Sequence, residues 1–101
     1  MEHNAAQLTG VVLEITPSYK SPAGVSHQEW LLEHRSRQIV AGQIREVKAQ
    51  VVIKLTGAGQ IESHAGVAVG HRIHVKGLLA QASYRDTQQL LIHAQVIERI
   101  E

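Results

Sequence analysis

Apolar residues in this chain recur with a period of two, which is typical of β-strands that bury one face. The clearest alternation runs from His71 to Ala80, and a second runs from Arg45 to Thr56. The apolar runs Leu8–Ile15, His27–Gln38 and Leu90–Ile100 have strand length and are rich in Val, Ile and Leu. The pattern therefore predicts an all-β protein with five strands.

Proline and glycine separate these runs, as expected where a chain turns. Pro17 follows the first run, and Pro22 and Gly24 lie before the second. Between the third and fourth strands, Gln60–Ala65 predicts a short helical turn that ends at Gly66. Five strands in this order indicate a Greek-key OB-fold barrel, and an SH3-like barrel is the alternative.

Length and composition favour one soluble globular unit. A chain of 101 residues, 44% hydrophobic and 19% charged, predicts a single domain over residues 1–101. No apolar run approaches the roughly 20 residues of a membrane span, and the amino-terminal residues lack the features of a signal peptide. The chain has no cysteine. We expect a cytoplasmic protein without disulfides or a membrane contact.

Candidate chemistry points to binding rather than catalysis. The chain has seven histidines, but His71 and His74 would lie on opposite faces of one strand and could not chelate the same metal ion. Asp86 is the only aspartate, and it lies in a polar stretch. The pattern supplies neither a catalytic triad nor a cofactor site. We expect a binding module, not an enzyme.

The basic residues become informative when they are assigned to strand faces, although the net charge is only +1. Six lie on the predicted outward faces of strands two, three and four: Arg35, Arg37, Lys48, Lys54, Arg72 and Lys76. The last four are predicted to project from one continuous sheet surface. Such a surface can follow a phosphate backbone.

Two tyrosines lie in predicted loops, each beside a basic residue. Tyr19 precedes Lys20 between strands one and two, and Tyr84 precedes Arg85 between strands four and five. OB folds bind oligonucleotides with these two loops, and an exposed ring beside a cation suits a base and its phosphate. Trp30 alternates with Leu32 and is predicted to be a core residue.

The last strand predicts self-association. Its apolar residues occupy both faces, with Leu90, Ile92 and Val96 on one and Leu91 and Ile97 on the other. A small barrel has only one interior in which to bury them. We therefore expect a homodimer.

Several segments resemble the primosomal replication protein N family of bacterial single-stranded DNA-binding proteins. The resemblance covers about Leu8 to Ile100. Its most specific part is Leu32–Ser36 together with the upstream Ser21, Pro22 and Gly24; the segment Val69–Gly77 is shared more widely with single-stranded DNA-binding proteins.

The resemblance implies an OB-fold homodimer that binds single-stranded DNA in the primosome that restarts stalled replication forks. It also implies contacts with the restart helicase and the helicase-loading proteins. Lys20 and Arg35 correspond to DNA-binding positions of the family. Lys48 stands where well-known members have a stacking tryptophan, and Gln81–Asp86 replaces a lysine-rich loop. An adaptor that binds mainly proteins, with weak DNA binding, is the alternative.

Overall fold

The computed structural model describes residues 2–83 and 88–101. The elements are β1 (Ala6–Ile15), β2 (Tyr19–Lys20), β3 (Ser26–Val40), β4 (Gln43–Thr56), α1 (Ala58–Ser63), β5 (Arg72–Gln81) and β6 (Leu90–Arg99). The five long strands and the helix correspond to the predicted elements. The short strand β2, which pairs with the start of β3, was not predicted.

The sheet closes into a barrel. Its strand order is β1-β5-β6-β4-β3-β2, and an additional pairing of β1 with β3 joins the two ends. Strands β4 and β6 run parallel, whereas the other neighbours run antiparallel. Together with α1 between β4 and β5, this topology confirms the predicted OB fold.

The core consists of aliphatic side chains around one tryptophan. Its buried members are Val12, Trp30, Leu32, Ile53, Leu55, Ile73, Val75, Ile92 and Ile97. Trp30 is buried as predicted, and its indole nitrogen donates a hydrogen bond to Gln28 Oε1 at 3.1 Å. A buried aromatic side chain is stabilised when its polar atom has such a partner.

Two glycines allow strands to cross closely. Next to Gly10, at Val11, β1 stops pairing with β5 and begins to pair with β3; a Cβ at Gly10 would overlap the carbonyl oxygen of Glu33. At Gly77, a Cβ would overlap the carbonyl oxygen of His93. The β5–β6 register shifts at this point, which leaves Gln95 as a bulge.

This bulge corrects the predicted faces of the last strand. Beyond Gln95 the alternation is reversed, so Ile97 joins Ile92 in the core while Val96 faces outward. Leu91 is buried, but Leu90 and Val96 are about half exposed. Both faces of β6 carry apolar residues as predicted, in a different grouping.

Strands β3 and β4 extend beyond the barrel as a hairpin. Their pairing is continuous from His27–Thr56 to Val40–Gln43 around the two-residue turn Ala41-Gly42. Both turn residues have positive φ, 52° and 77°, as in the hairpin turns that match strand twist. In the described part of the chain, no helix is long and apolar enough to cross a membrane.

Candidate nucleic-acid interface

The outward face of the hairpin carries paired polar residues in register. Arg35 lies opposite Lys48, and Glu33 lies opposite Gln50. The side chains of Arg35 and Lys48 are 68% and 58% exposed. The strand register thus holds two cations side by side, where they repel each other, and both side chains are exposed to solvent.

Glu33 compensates this repulsion. Its Oε1 accepts a hydrogen bond from Arg35 Nε at 3.0 Å, and its Oε2 accepts one from Gln50 Nε2 at 3.4 Å. Lys48 Nζ lies 3.8 Å from the same Oε2. The Glu33 side chain is only 19% exposed, so a carboxylate lies beneath the two cations.

The electrostatics of this cluster keep Glu33 ionised. Burial raises the pKa of Glu33, but the hydrogen bonds from Gln50 and Arg35 and the charges of Arg35 and Lys48 outweigh it. The net result is a pKa below the ordinary value of 4.5. The carboxylate is therefore an anion at neutral pH.

Next to this cluster lies an open depression of about 330 Å³. Its lining residues are Arg35, Ser36, Arg37, Glu46, Val47 and Lys48. Arg37 and Glu46 form a long, solvent-exposed ion pair of 3.9 Å. Such a pair is weak, so Arg37 is available to an incoming phosphate.

Tyr19 forms a second part of the surface, at the other end of β3. Its ring lies 5.4 Å from the ring of His27, with a tilt of 31°, and it is 45% exposed. Its hydroxyl donates to Glu29 Oε1 at 3.3 Å. Burial, the charge of Glu29 and this hydrogen bond raise the pKa of Tyr19, so the ring stays neutral. Lys20 is exposed beside it.

Lys54 lies near this aromatic pair. It is opposite Glu29 in β3 and His93 in β6. Burial and the positive charges of Lys54 and His27 lower the pKa of His93 below 6.5. His93 is therefore neutral at physiological pH, and it adds no positive charge beside Lys54.

The predicted continuous basic surface on β4 and β5 divides into two groups. Strand β6 lies between β4 and β5. Lys48 and Lys54 on β4 are therefore separated from Arg72 and Lys76, which lie on β5. Lys76 is opposite Val96, and Arg72 lies 3.7 Å from Glu101. Strand order in a closed barrel differs from chain order, which the alternation pattern does not reveal.

Tyr84 and Arg85, predicted to bind DNA in the last loop, lie outside the described residues. Within residues 2–83 and 88–101, no group of three His, Asp or Glu side chains is arranged to hold a metal ion. His34 is half-buried; its ring is hydrogen-bonded to the Thr9 carbonyl and the Ser36 hydroxyl.

Three residues of the interface were not singled out as binding residues from the sequence: His27, Glu33 and Gln50. A signal for the last two was present, because a two-residue turn at Ala41-Gly42 sets the register of the whole hairpin. Counting back from that turn places Arg35 opposite Lys48 and Glu33 opposite Gln50.

Comparisons with known proteins show which family this chain resembles. A family model described as another single-strand binding protein family matches residues 4–96. Among curated proteins, replication restart protein PriB of Haemophilus influenzae (strain PittEE) is 34% identical over 99 residues, covering 97% of this chain and 92% of that protein. PriB of Actinobacillus succinogenes is 37% identical over 101 residues, with the same coverage.

Solved structures share the fold. A structure of PriB from Ralstonia solanacearum superposes with a TM-score of 0.83 at 23% identity, covering 99% of this chain and 100% of that one. The single-stranded DNA-binding protein from Thermus aquaticus superposes with a TM-score of 0.76 at 21% identity, covering 98% of this chain and 50% of that one.

Proposed function

We propose a function from one premise: the chain belongs to the single-strand binding protein family and, within it, to the PriB replication restart proteins. The protein binds single-stranded DNA during replication restart, and it acts by binding rather than by catalysis. The observation that carries this proposal is the exposed pairing of Arg35 with Lys48, because adjacent cations on a sheet face suit a phosphate backbone.

The proposed DNA surface combines the hairpin face, the region around Tyr19, the outward face of β5 and the last loop. Its residues are Tyr19, Lys20, Arg35, Arg37, Lys48, Lys54, Arg72, Lys76, Tyr84 and Arg85. Cations supply the salt-dependent affinity, and the tyrosines supply stacking that favours unpaired bases.

Fluorescence anisotropy of a labelled oligonucleotide tests this function. The same sequence is titrated in single- and double-stranded form, at low and at moderate salt. We expect tighter binding of the single strand and a loss of affinity as salt rises. Equal affinity for both forms, or no binding of the single strand at low salt, contradicts the proposal.

We also propose that the chain is a homodimer. Partly exposed apolar side chains on β5 and β6 support this, namely Leu78, Leu79, Leu90 and Val96. A second copy would remove this surface from water, which is favourable in proportion to the apolar area. Sedimentation equilibrium at micromolar concentration should give twice the 11.1 kDa mass of the chain. A monomer mass contradicts this proposal.

The alternative function is a primosomal adaptor with weak DNA binding of its own, and one observation favours it. Ile39 and Ile44 face each other at the hairpin tip and are 76% and 71% exposed. An apolar tip outside the barrel suits a protein partner. In either function, we propose that the protein stabilises the restart helicase on DNA and contacts the helicase-loading proteins. We propose that it does so in the cytoplasm.

The double variant Ile39→Ser, Ile44→Ser tests whether the hairpin tip contacts the helicase. If the tip binds the helicase, this variant should bind oligonucleotide like the parent and lose its effect on helicase activity. A variant that keeps its effect on the helicase shows that the tip is not the contact.

A further inference from the structure

The carboxylate of Glu33 is surrounded by groups that bind anions. A guanidinium nitrogen, an amide nitrogen and an ammonium group converge on its two oxygens, at 3.0, 3.4 and 3.8 Å. These donors come from Arg35, Gln50 and Lys48, on two strands held in fixed register. We call these three residues the Arg35 cradle.

A DNA phosphate uses the same donors as a carboxylate. Guanidinium groups bind both anions through hydrogen bonds from N–H groups, and ammonium groups bind both as point charges. The cradle is also accessible, because the side chains of Arg35 and Lys48 are mostly exposed while Glu33 lies beneath them. A phosphate that approaches from solvent therefore contacts two cations that already pair with the Glu33 carboxylate.

We propose that Glu33 competes with a phosphate of single-stranded DNA for the donors of the Arg35 cradle. The proposal rests on the proposed DNA-binding function and deepens it. In the free protein Glu33 neutralises the cradle and holds its side chains together. In the complex the phosphate takes over Arg35 and Lys48, and the displaced carboxylate weakens the binding by repulsion.

Two consequences follow from this competition. Removing the charge of Glu33 should tighten binding, since the cradle then has no internal anion to lose and no like charge beside the phosphate. The benefit should fade as salt rises, because mobile ions screen both the repulsion and the ion pairs.

The test variant is Glu33→Gln, which keeps the size of the side chain and an oxygen that accepts hydrogen bonds. The matched control is Glu62→Gln, which removes the same charge from α1. Glu62 is exposed and lies outside the proposed DNA surface. Thermal unfolding checks that both variants fold like the parent.

Affinity for a labelled oligothymidylate is measured by anisotropy across a salt series. We expect Glu33→Gln to bind about five-fold tighter at low salt and Glu62→Gln to change affinity less than about two-fold. The slope of log affinity against log salt should become steeper in Glu33→Gln by up to about 0.7, the value of one further phosphate contact. In an Arg35→Ala, Lys48→Ala background, the gain from Glu33→Gln should disappear.

The remaining outcomes overturn the proposal in distinguishable ways. Weaker or unchanged binding by Glu33→Gln means that Glu33 only positions the cradle. Equal gains in Glu33→Gln and Glu62→Gln indicate a general charge effect without competition at the cradle. If the parent itself fails to bind single strands at low salt, the proposed function fails as well.

Discussion

Among single residues, Tyr19 is the best-placed described aromatic side chain for stacking on a base, since Trp30 is buried and Tyr84 lies outside the described residues. Tyr19→Ala should weaken binding of a single-stranded oligonucleotide about five-fold, because stacking on an aromatic ring contributes about 1–3 kcal/mol and this ring is at the surface. The salt slope should not change, because no cation is removed. Anisotropy at several salt concentrations measures both quantities.

Tyr19→Phe is the control for this prediction. It keeps the ring and loses only the hydrogen bond to Glu29. It should bind within about two-fold of the parent if the ring is what matters. A double variant, Tyr19→Ala with Tyr84→Ala, that binds single strands like the parent would show that neither tyrosine stacks.

His93 gives the protein a stability that depends on pH. Its pKa lies below 6.5 in the folded state, so the unfolded chain takes up a proton first as pH falls. The contribution of neutral His93 to the free energy of unfolding is complete above pH 6.5 and is lost as pH falls through the pKa of His93 in the folded state. The melting temperature should therefore fall more between pH 7 and pH 5 in the parent than in His93→Gln.

His3→Gln is the control, because His3 is an exposed residue before β1. Its melting temperature should follow that of the parent across the same pH range. A parallel pH dependence in His93→Gln would assign the acid sensitivity to other groups.

Most individual residue roles followed from alternation and residue type. Trp30 was predicted to be buried because it alternates with Leu32, and Arg35 was predicted to face outward for the same reason. The role of Glu33 did not follow, because alternation identifies a face and not the partners across the hairpin. Those partners depend on the register set at Ala41-Gly42.

At the scale of elements, the contact between β5 and β6 depends on Gly77. A Cβ at this position would overlap backbone atoms of His93, and backbone cannot move aside like a flexible side chain. Gly77→Ala should destabilise the fold by about 1–3 kcal/mol. For a domain of this size, the melting temperature should fall by roughly 5–20 °C.

Gly66→Ala is the matched control, because a Cβ at Gly66 meets nothing within 4 Å. Its melting temperature should stay close to that of the parent. A Gly77→Ala protein that is as stable as the parent would mean that the two strands can separate at the bulge without loss.

The boundaries of the long strands were predictable from the sequence, but the irregularities within them were not. Alternation through Leu90–Ile100 placed Val96 with Ile92, whereas the bulge at Gln95 places Ile97 there. A bulge adds one residue to one strand, and its position depends on how two strands cross in the barrel. The strand β2 escaped prediction because two residues are too few to show a period.

Across the whole molecule, the hairpin makes the protein elongated, with extents of 49 × 33 × 24 Å. The OB fold was predictable because the number and order of elements along the chain determine few barrel topologies. The joint surface of β4 and β5 was not, because the parallel pairing of β4 with β6 separates these strands. Such pairing connects residues about 40 positions apart and has no local signature.

This arrangement predicts how much each of the two groups of cations contributes to the salt dependence of DNA binding. Lys48 lies on the hairpin, six residues or roughly 20 Å of strand from Lys54, and Lys76 lies on β5, which β6 separates from β4. Distant sites act independently, so Lys48→Ala and Lys76→Ala should each lower the salt slope by about 0.7, and the double variant by about 1.4. Arg45→Ala, on the opposite face of the hairpin, should leave the slope unchanged. A Lys76→Ala protein with the parent's salt slope would mean that the DNA contacts only the hairpin. If the DNA crossed the barrel, removing Lys76 would remove a phosphate contact that releases a counterion, and the slope would fall.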